Sequence, residues 1–494
     1  MWHVWAASDP ERPLERSGRG RFRFCADNLS EDIHLTTKVG LIQLGCAKNQ
    51  IDGEEMLGAL AGEGDVQFVA ERKDADVLIV NTCGFIQAAK EESINAILDA
   101  VRRKQRGQVS RVIVTGCLAQ RYGDELAREI PEVDAFLGIE SAPKVGNVVF
   151  GARPNRSASA NLVVPVAEKY PLVPERRLRA GGTPWTAYLK VSEGCDHTCT
   201  FCAIPGIRGR HRSKPLERLV DEATRLAETG ARELNLVAQD TTAYGMDLYG
   251  RLALPELLGK LAAVPGVDWI RLLYCYPTMV RQPLIDAVRD LPQVLPYVDM
   301  PLQHADDDVL RRMKRGGNAD QYRRLFDKMR DQLPGLALRT TFLVGFPGET
   351  DSAFDALLRF VEDVRFDRIG VFTYSAEDGT PAFSMEGAVP EHVMDERRDR
   401  LMAAQQPISL GNNEAWIGRE LDVLIESVSG DKAAGRSHRD APEIDGVVAV
   451  SSVPDGTQPG DIVRVHVTDA QVYDLTAAPA ASVRSLSEPD LVPA

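Results

Sequence analysis

Three cysteines with a CxxxCxxC spacing have the clearest capacity for chemistry in this sequence: Cys195, Cys199 and Cys202, in VSEGCDHTCTFCAIPGIRG. Three thiolates on one short loop can bind three irons of a cubane iron–sulfur cluster and leave the fourth iron without a protein ligand. The alternatives are a zinc knuckle, with His197 or His211 as fourth ligand, and a loop of reduced thiols. Structural zinc usually has two paired CxxC units or a Cys2His2 spacing, and no second pair follows. The spacing therefore favours an iron–sulfur cluster with one open iron.

A second set of three cysteines is spread along the chain. Cys46, Cys83 and Cys117 each end a strand-like segment, in LGCAKN, NTCGFI and TGCLAQ. In a doubly wound parallel sheet the carboxyl ends of the strands meet at the ligand crevice. One cysteine at a strand end is most often a small buried hydrophobe, but three in three such positions predict a second three-cysteine cluster site. Of the remaining two, Cys25 lies in an unpatterned N-terminal arm, and Cys275 is expected to be a core thiol.

Polar residues at the end of another strand-like segment are candidate contacts for a cofactor or a substrate. Gln239, Asp240 and Thr241 follow the apolar run ELNLV. The alternative is a capped helix start, because Asp and Thr side chains accept hydrogen bonds from the first turn of a helix. The sequence leaves both interpretations open.

The segment LVGFPGET ends a further strand-like run. Its glycines, Gly345 and Gly348, let the backbone approach a ligand closely, and Glu349 follows them. We therefore expect Gly345 and Glu349 to contact the adenine or ribose of a cofactor. His304, at the end of DMPLQH, is either a catalytic base or a hydrogen-bonded structural histidine. No catalytic residue is assigned beyond the two sets of cysteines.

The segments that must position these residues predict a multidomain α/β protein. Between residues 38 and 145 apolar strands alternate with helical stretches, which predicts a flavodoxin-like parallel sheet. Residues 184–410 repeat this alternation in six βα units, which predicts a full or partial TIM-type (β/α) barrel with its chemistry at the carboxyl ends of the strands. Residues 411–477 carry short strands separated by Gly, Asp and Pro, and they predict a small antiparallel, OB-like β-barrel.

Three segments fall outside these patterns. Residues 1–37 mix Arg, Gly and acids without periodicity, which predicts a disordered arm to which no role is assigned. Residues 146–183 gain Pro, Arg, Ala and Gly, which predicts a linker with a short hairpin. Residues 478–494 are expected to be a frayed tail.

The composition limits the compartment. The chain has 494 residues, a net charge of −14 and eight cysteines, which are too few for a disulfide scaffold. In a reducing compartment, spaced cysteines more often bind metal or do chemistry. No apolar run reaches the roughly 18 to 20 residues that cross a bilayer, and the first residues lack an apolar signal segment. We therefore expect a cytoplasmic protein with no membrane partner.

These motifs carry a resemblance to a known family. The CxxxCxxC loop on a βα barrel resembles the radical S-adenosylmethionine (SAM) enzymes, and the LGC, NTC and TGC domain before it and the small barrel after it resemble the methylthiotransferases. The resemblance covers about residues 38–477. The segments EGCDHTCTFCAIPGIRG, LVAQDTTAYG, IRLLYCYP and YVDMPLQHA are similar to the RimO branch, which modifies an aspartate of the small-subunit ribosomal protein S-twelve.

The resemblance implies two [4Fe-4S] clusters and S-adenosyl-L-methionine as cofactors. Cys195, Cys199 and Cys202 would hold the SAM cluster, whereas the cysteines that end the strands of residues 38–145 would hold an auxiliary cluster. The reaction would generate a radical that removes hydrogen from the unactivated β-carbon of the aspartate, and then place a methylthio group there. The C-terminal barrel would be a TRAM domain. The implied partners are ribosomal protein S-twelve, free or in the small ribosomal subunit, and an electron donor such as flavodoxin or ferredoxin.

The charge of the C-terminal segment bears on the substrate. Residues 411–477 carry five Lys and Arg against twelve Asp and Glu. Affinity for nucleic-acid phosphates comes from counterion release by basic side chains, so this barrel is expected to disfavour transfer RNA and to suit a basic protein. A generic solubilising surface is the alternative. Two other functions stay open: methylthiolation of an adenosine of transfer RNA, and a non-catalytic iron–sulfur electron carrier or sensor.

Overall fold

The computed structural model describes residues 36–69, 74–139, 145–151, 162–164, 177–179 and 182–480. Residues 1–35 of the disordered arm expected over 1–37, and residues 481–494 of the tail expected over 478–494, lie outside these residues. The first strand begins at Thr37, which is inside the expected arm. No helix in the described ranges is long and apolar enough to cross a membrane.

The N-terminal unit, here the parallel-sheet domain, is a six-stranded sheet with the order β2-β1-β3-β4-β5-β6. Every neighbouring pair is parallel, which confirms the flavodoxin-like prediction. All residues of the central strand β3 are buried because helices cover both faces. The strands are β1 (Thr37–Gln43), β2 (Val66–Phe68), β3 (Val77–Thr82), β4 (Arg111–Gly116), β5 (Ala135–Leu137) and β6 (Leu162–Val164). The helices are α1 (Ala47–Glu63), α2 (Gln87–Gln105), α3 (Cys117–Glu129) and α4 (Val145–Phe150).

The expected linker contributes to this sheet. Residues 162–164, within the segment expected to hold a short hairpin, form β6 and pair in parallel with β5. The rest of that hairpin prediction falls largely outside the described residues.

The second unit, here the partial barrel, is an open six-stranded parallel sheet with the order β7-β10-β11-β12-β13-β14. Each strand pairs with its successor, as the six βα units predict, and the ends do not close. A two-residue ribbon, β8 and β9, flanks the first strand. The strands are β7 (Thr186–Lys190), β8 (Ser192–Glu193), β9 (Arg212–Ser213), β10 (Glu233–Val237), β11 (Trp269–Leu272), β12 (Val294–Asp299), β13 (Ala337–Val344) and β14 (Arg368–Thr373).

The longer helices of the partial barrel pack their apolar sides on this sheet in one continuous core. In α12, for example, Phe354, Leu357, Phe360, Val361 and Val364 are buried at helical spacing. The helices are α5 (Ile204–Arg208), α6 (Leu216–Glu228), α7 (Met246–Tyr249), α8 (Leu254–Ala262), α9 (Gln282–Asp290), α10 (Asp307–Arg312), α11 (Ala319–Gln332), α12 (Asp351–Val364) and α13 (Glu391–Glu414). The last helix, α13, runs past the expected domain boundary at residue 410.

The C-terminal barrel is a closed sheet with the order β15-β16-β17-β19-β18. The expectation of a wholly antiparallel barrel is wrong in one pair, because β17 and β19 are parallel. The last strand also reaches Pro479, beyond the expected limit at residue 477. The strands are β15 (Glu420–Ser429), β16 (Lys432–Ser437), β17 (Val448–Ser451), β18 (Ile462–Ala470) and β19 (Leu475–Pro479).

Buried ion pairs join the C-terminal barrel to the partial barrel. The carboxylate of Glu233, on β10, accepts hydrogen bonds from Arg436 and from Arg271, and all three side chains are buried. Arg439 pairs with Asp367 at 3.0 Å. A buried guanidinium needs such a partner, because an unpaired buried charge is very costly. Two of the five bases counted in the C-terminal segment therefore face the partial barrel and not the solvent.

Candidate functional site

The cysteines of the CxxxCxxC motif, here the barrel triad, lie on the loop between β8 and α5. The Cys202 N–H donates to the carbonyl of Cys199 at 3.1 Å, and the Cys195 N–H donates to Gly209. Burial raises the pKa of Cys195 to about 11 and that of Cys202 to about 12, and the neighbouring cysteines of the triad add to both shifts. The three thiols are thus close enough to influence one another electrostatically.

A cationic and aromatic group surrounds the barrel triad. Arg315, which follows α10, donates from Nη1 to the Cys199 sulfur at 3.6 Å, and its guanidinium lies 4.0 Å from the ring centroid of Tyr276. The His197 ring stacks on the Tyr276 ring, with 3.7 Å between the two centroids. His197 Nε2 in turn lies 2.7 Å from Asp240 Oδ2. Sequence reasoning missed Arg315 and Tyr276, although IRLLYCYP, which contains Tyr276, was among the segments of the resemblance.

The polar residues after β10 divide between local structure and the site. Asp240 Oδ1 accepts hydrogen bonds from the N–H and hydroxyl of Thr242, while its other oxygen faces His197. The expected alternative of a capped helix start is wrong, because Asp240 closes a turn and the next helix, α7, begins only at Met246. The Thr241 hydroxyl donates to the carbonyl of Leu273. Gln239 Nε2 donates to Glu193 at 3.1 Å, whereas Gln239 Oε1 is buried without a hydrogen-bond partner among the described residues.

The LVGFPGET segment forms a compact turn. Gly345 has φ +78° and its N–H donates to Glu349 Oε2. The other oxygen of this carboxylate, Oε1, accepts a hydrogen bond from Arg397 Nη1. A Cβ at position 345 would lie 2.1 Å from Cγ of Met394, so the glycine is required by protein packing. His304 Nδ1 accepts the Asp306 N–H, and burial lowers the pKa of His304 to about 3.

The other three cysteines, here the N-terminal triad, meet at the carboxyl edge of the parallel sheet. Cys46 precedes α1, Cys83 follows β3, and Cys117 begins α3. Burial raises the pKa of Cys83 to about 12, with further contributions from Cys117 and Cys46. Gly45 precedes the first of them at φ +82°, and a Cβ there would lie 2.8 Å from that of Cys83. Glycine thus permits the close approach of two loops.

A cavity of about 130 Å³ opens beside Cys46, where the three units meet. Its wall includes Tyr274 and Asp299 of the partial barrel and Glu443 of the C-terminal barrel. Tyr274 has φ +58°, and the Lys48 ammonium lies 3.3 Å from its ring centroid. The cavity therefore gives a cysteine of the N-terminal triad a route to solvent between all three units.

In the described part of the chain, no group of three or more His, Cys, Asp and Glu side chains is placed to hold a single metal ion. A cubane cluster makes a different demand, because each thiolate binds a different iron.

Three family models match the chain: Uncharacterized protein family UPF0004 over residues 38–138, Radical SAM superfamily over 189–361 and TRAM domain over 417–479. A structural relative is the radical SAM methyltransferase TsrM from Kitasatospora setae, with a TM-score of 0.51, 14% identity and coverage of 76% of this chain and 89% of that one. At this identity the likeness shows the fold alone.

Curated relatives cover nearly the whole folded chain. The RimO protein of Anaeromyxobacter sp. (strain K), named a ribosomal protein uS12 methylthiotransferase, is 48% identical over 89% of this chain and 93% of its own. The RimO protein of Geobacter sulfurreducens has the same name and is 45% identical over 89% and 97%. Fold and sequence together define a radical SAM enzyme that has a parallel-sheet domain and a TRAM barrel. This enzyme is a transferase. More particularly, the chain belongs to the RimO family of methylthiotransferases.

Proposed function

We propose that this chain attaches a methylthio group to the β-carbon of an aspartate in ribosomal protein uS12. The choice of substrate follows its relatives, which are ribosomal protein uS12 methylthiotransferases. The observation that carries the proposal is the placement of two cysteine triads on facing units, with the cavity at Cys46 open between them and the C-terminal barrel. A substrate loop that enters this cavity would reach the N-terminal triad while it lies against the partial barrel.

The two triads fit two [4Fe-4S] clusters. Each offers three thiols, and thiolates are the ligands that such clusters use. Cys195, Cys199 and Cys202 would hold the cluster that binds SAM, and Cys46, Cys83 and Cys117 would hold the auxiliary cluster. When bound, these groups supply one-electron chemistry that removes hydrogen from an unactivated carbon, together with the sulfur and the methyl group. A flavodoxin or a ferredoxin is our proposed electron donor.

The protein's own side chains would position the SAM end of the reaction. Arg315 would hold Cys199 through its hydrogen bond, while the stacked rings of His197 and Tyr276 would fix the loop that carries the barrel triad. Gln239 is the proposed cofactor contact among the polar residues, because its Oε1 lacks a partner in the described structure.

The remaining proposed cofactor-binding residues would act mainly by shaping the site. Asp240 orients His197, and Thr241 ties its loop to the carbonyl of Leu273. Gly345 and Glu349 would act through the shape of their turn, which the Gly345 N–H and Arg397 tie to the Glu349 carboxylate.

The outer surface of the C-terminal barrel supports a basic protein as the partner. Arg436 and Arg439 are buried against the partial barrel, whereas acids such as Asp431, Asp455 and Asp469 are exposed. This surface would attract ribosomal protein uS12, free or in the small ribosomal subunit, and repel transfer RNA.

The test is the mass of uS12 purified from cells with and without this gene. We expect a methylthio group on uS12 that disappears on deletion and returns with the intact gene, but not with Cys83→Ala. Cys275→Ala is the matched control, because this thiol is buried in the core of the partial barrel outside both triads. Loss of a methylthio group from transfer RNA alone would refute the choice of substrate.

A further inference from the structure

The short helix α5 connects the two cysteine triads. It begins two residues after Cys202, the last cysteine of the barrel triad. The helix also packs against the parallel-sheet domain. There its Ile207, and Ala203 just before the helix, form an apolar cluster with Cys117. One segment of the partial barrel thus covers a cysteine of the other triad.

Arg208, the last residue of α5, reaches the N-terminal triad directly. Its Nη2 lies 3.3 Å from the Cys117 sulfur and 2.8 Å from Asp52 Oδ2, while its Nη1 lies 2.9 Å from Glu193 Oε1. The side chain is only 1% exposed. A planar guanidinium can serve these three acceptors together because its donors form a rigid fork.

Arg208 shares its two carboxylate partners with a second buried cation. Lys190 pairs with the same two carboxylates, at 2.5 Å from Asp52 Oδ1 and 3.0 Å from Glu193 Oε2. The carboxylates thus hold Arg208 in place, with its Nη2 also directed at the Cys117 sulfur.

We propose that Arg208 is a positioning residue that raises the reduction potential of the auxiliary cluster through Cys117. The inference rests on the proposed second cluster. Reduction adds one electron to the cluster without breaking a bond, and a cationic donor at a ligand sulfur stabilises the more negative state. Because Arg208 belongs to the partial barrel, the potential depends on the docking of the two units.

The test isolates one cluster in the full-length chain. Cys195, Cys199 and Cys202 are replaced with Ala, so that iron binds only to the N-terminal triad, and iron content is measured after anaerobic reconstitution. Arg208→Gln, Arg208→Lys and Arg210→Gln are then introduced singly. Arg210 is a matched control two residues away, with a side chain that is 91% exposed. The midpoint potential is measured by a dithionite titration followed by electron paramagnetic resonance.

We expect the midpoint potential to shift to a more negative value in Arg208→Gln, to shift less in Arg208→Lys, which keeps the charge, and to stay unchanged in Arg210→Gln. An unchanged potential in Arg208→Gln at equal iron content would overturn the role of Arg208 while leaving the second cluster intact. If Arg208→Gln binds no iron, Arg208→Lys decides: a midpoint potential equal to that of the background chain, at equal iron content, would overturn the role of Arg208. A background chain that binds no iron would overturn the second cluster, and the role of Arg208 with it.

Discussion

Arg436 of the C-terminal barrel donates a hydrogen bond to Glu233 of the partial barrel, with 2.6 Å between Nη2 and Oε2. Glu233 also accepts from Arg271. Burial alone would raise the pKa of Glu233, but the two guanidinium groups lower it from 4.5 to about 2. This carboxylate therefore stays charged inside the interface between the two barrels.

The pH dependence of stability follows from this lowered pKa. Glu233 contributes stability that is present above the unfolded pKa of 4.5 and is lost as the pH falls towards about 2. Glu233→Gln should lower the free energy of unfolding at pH 7 by about 3 kcal/mol, because it leaves two buried guanidinium groups undercompensated. Urea unfolding of the apo-protein, followed by Trp fluorescence, measures both effects. If the difference in the free energy of unfolding between Glu233→Gln and the wild type did not shrink below pH 4.5, the lowered pKa of Glu233 would be contradicted.

The iron content distinguishes two clusters from one. Anaerobic reconstitution should give roughly eight irons per chain, because each triad would hold a four-iron cluster. Replacing Cys46, Cys83 and Cys117 with Ala should halve this number, whereas Cys275→Ala should leave it unchanged. Four irons in the wild-type chain, unaffected by the triple replacement, would rule out the auxiliary cluster.

Arg315 gives a prediction for the SAM cluster. Arg315→Met removes the donor to Cys199 and the cation over Tyr276, so 5′-deoxyadenosine formation under reducing conditions should fall by about 10- to 100-fold at equal iron content. Arg311→Met is the matched control, because its side chain is 72% exposed on α10. Equal rates in the two variants would show that Arg315 is not needed at the site.

The acidic surface of the C-terminal barrel gives a prediction for substrate capture. Asp431→Lys combined with Asp455→Lys should reduce kcat/KM for uS12 roughly tenfold at low salt, and less at high salt, because exposed charges steer encounter and are screened. Glu362→Lys with Asp363→Lys, on α12, is the control of equal charge change. A similar loss of kcat/KM in both double variants would show that the acidic surface of the C-terminal barrel serves only solubility.

Much of the fold is predictable from local pattern. The apolar runs of β3 and β4 are central strands, and their burial demands continuous hydrophobicity. Each is followed by a helix, as is the less buried β1. The strand β16 gave no such signal, because KAAGRS contains small and charged residues where an apolar run would mark a strand, although it forms a hairpin with β15 and also pairs with β17. The parallel pairing of β17 with β19 likewise depends on how the chain returns, which no periodicity encodes.

The sequence by itself determined that there are two sets of three cysteines and which strand ends carry them, because a strand end and a CxxxCxxC loop are local features. Only the tertiary structure decided which cationic side chains lie beside these cysteines. Arg208 is 91 residues from Cys117 along the chain, and Arg315 is 116 residues from Cys199. Contacts over such separations depend on the packing of whole units against one another, and a solvated surface arginine has the same local sequence signature as a buried one.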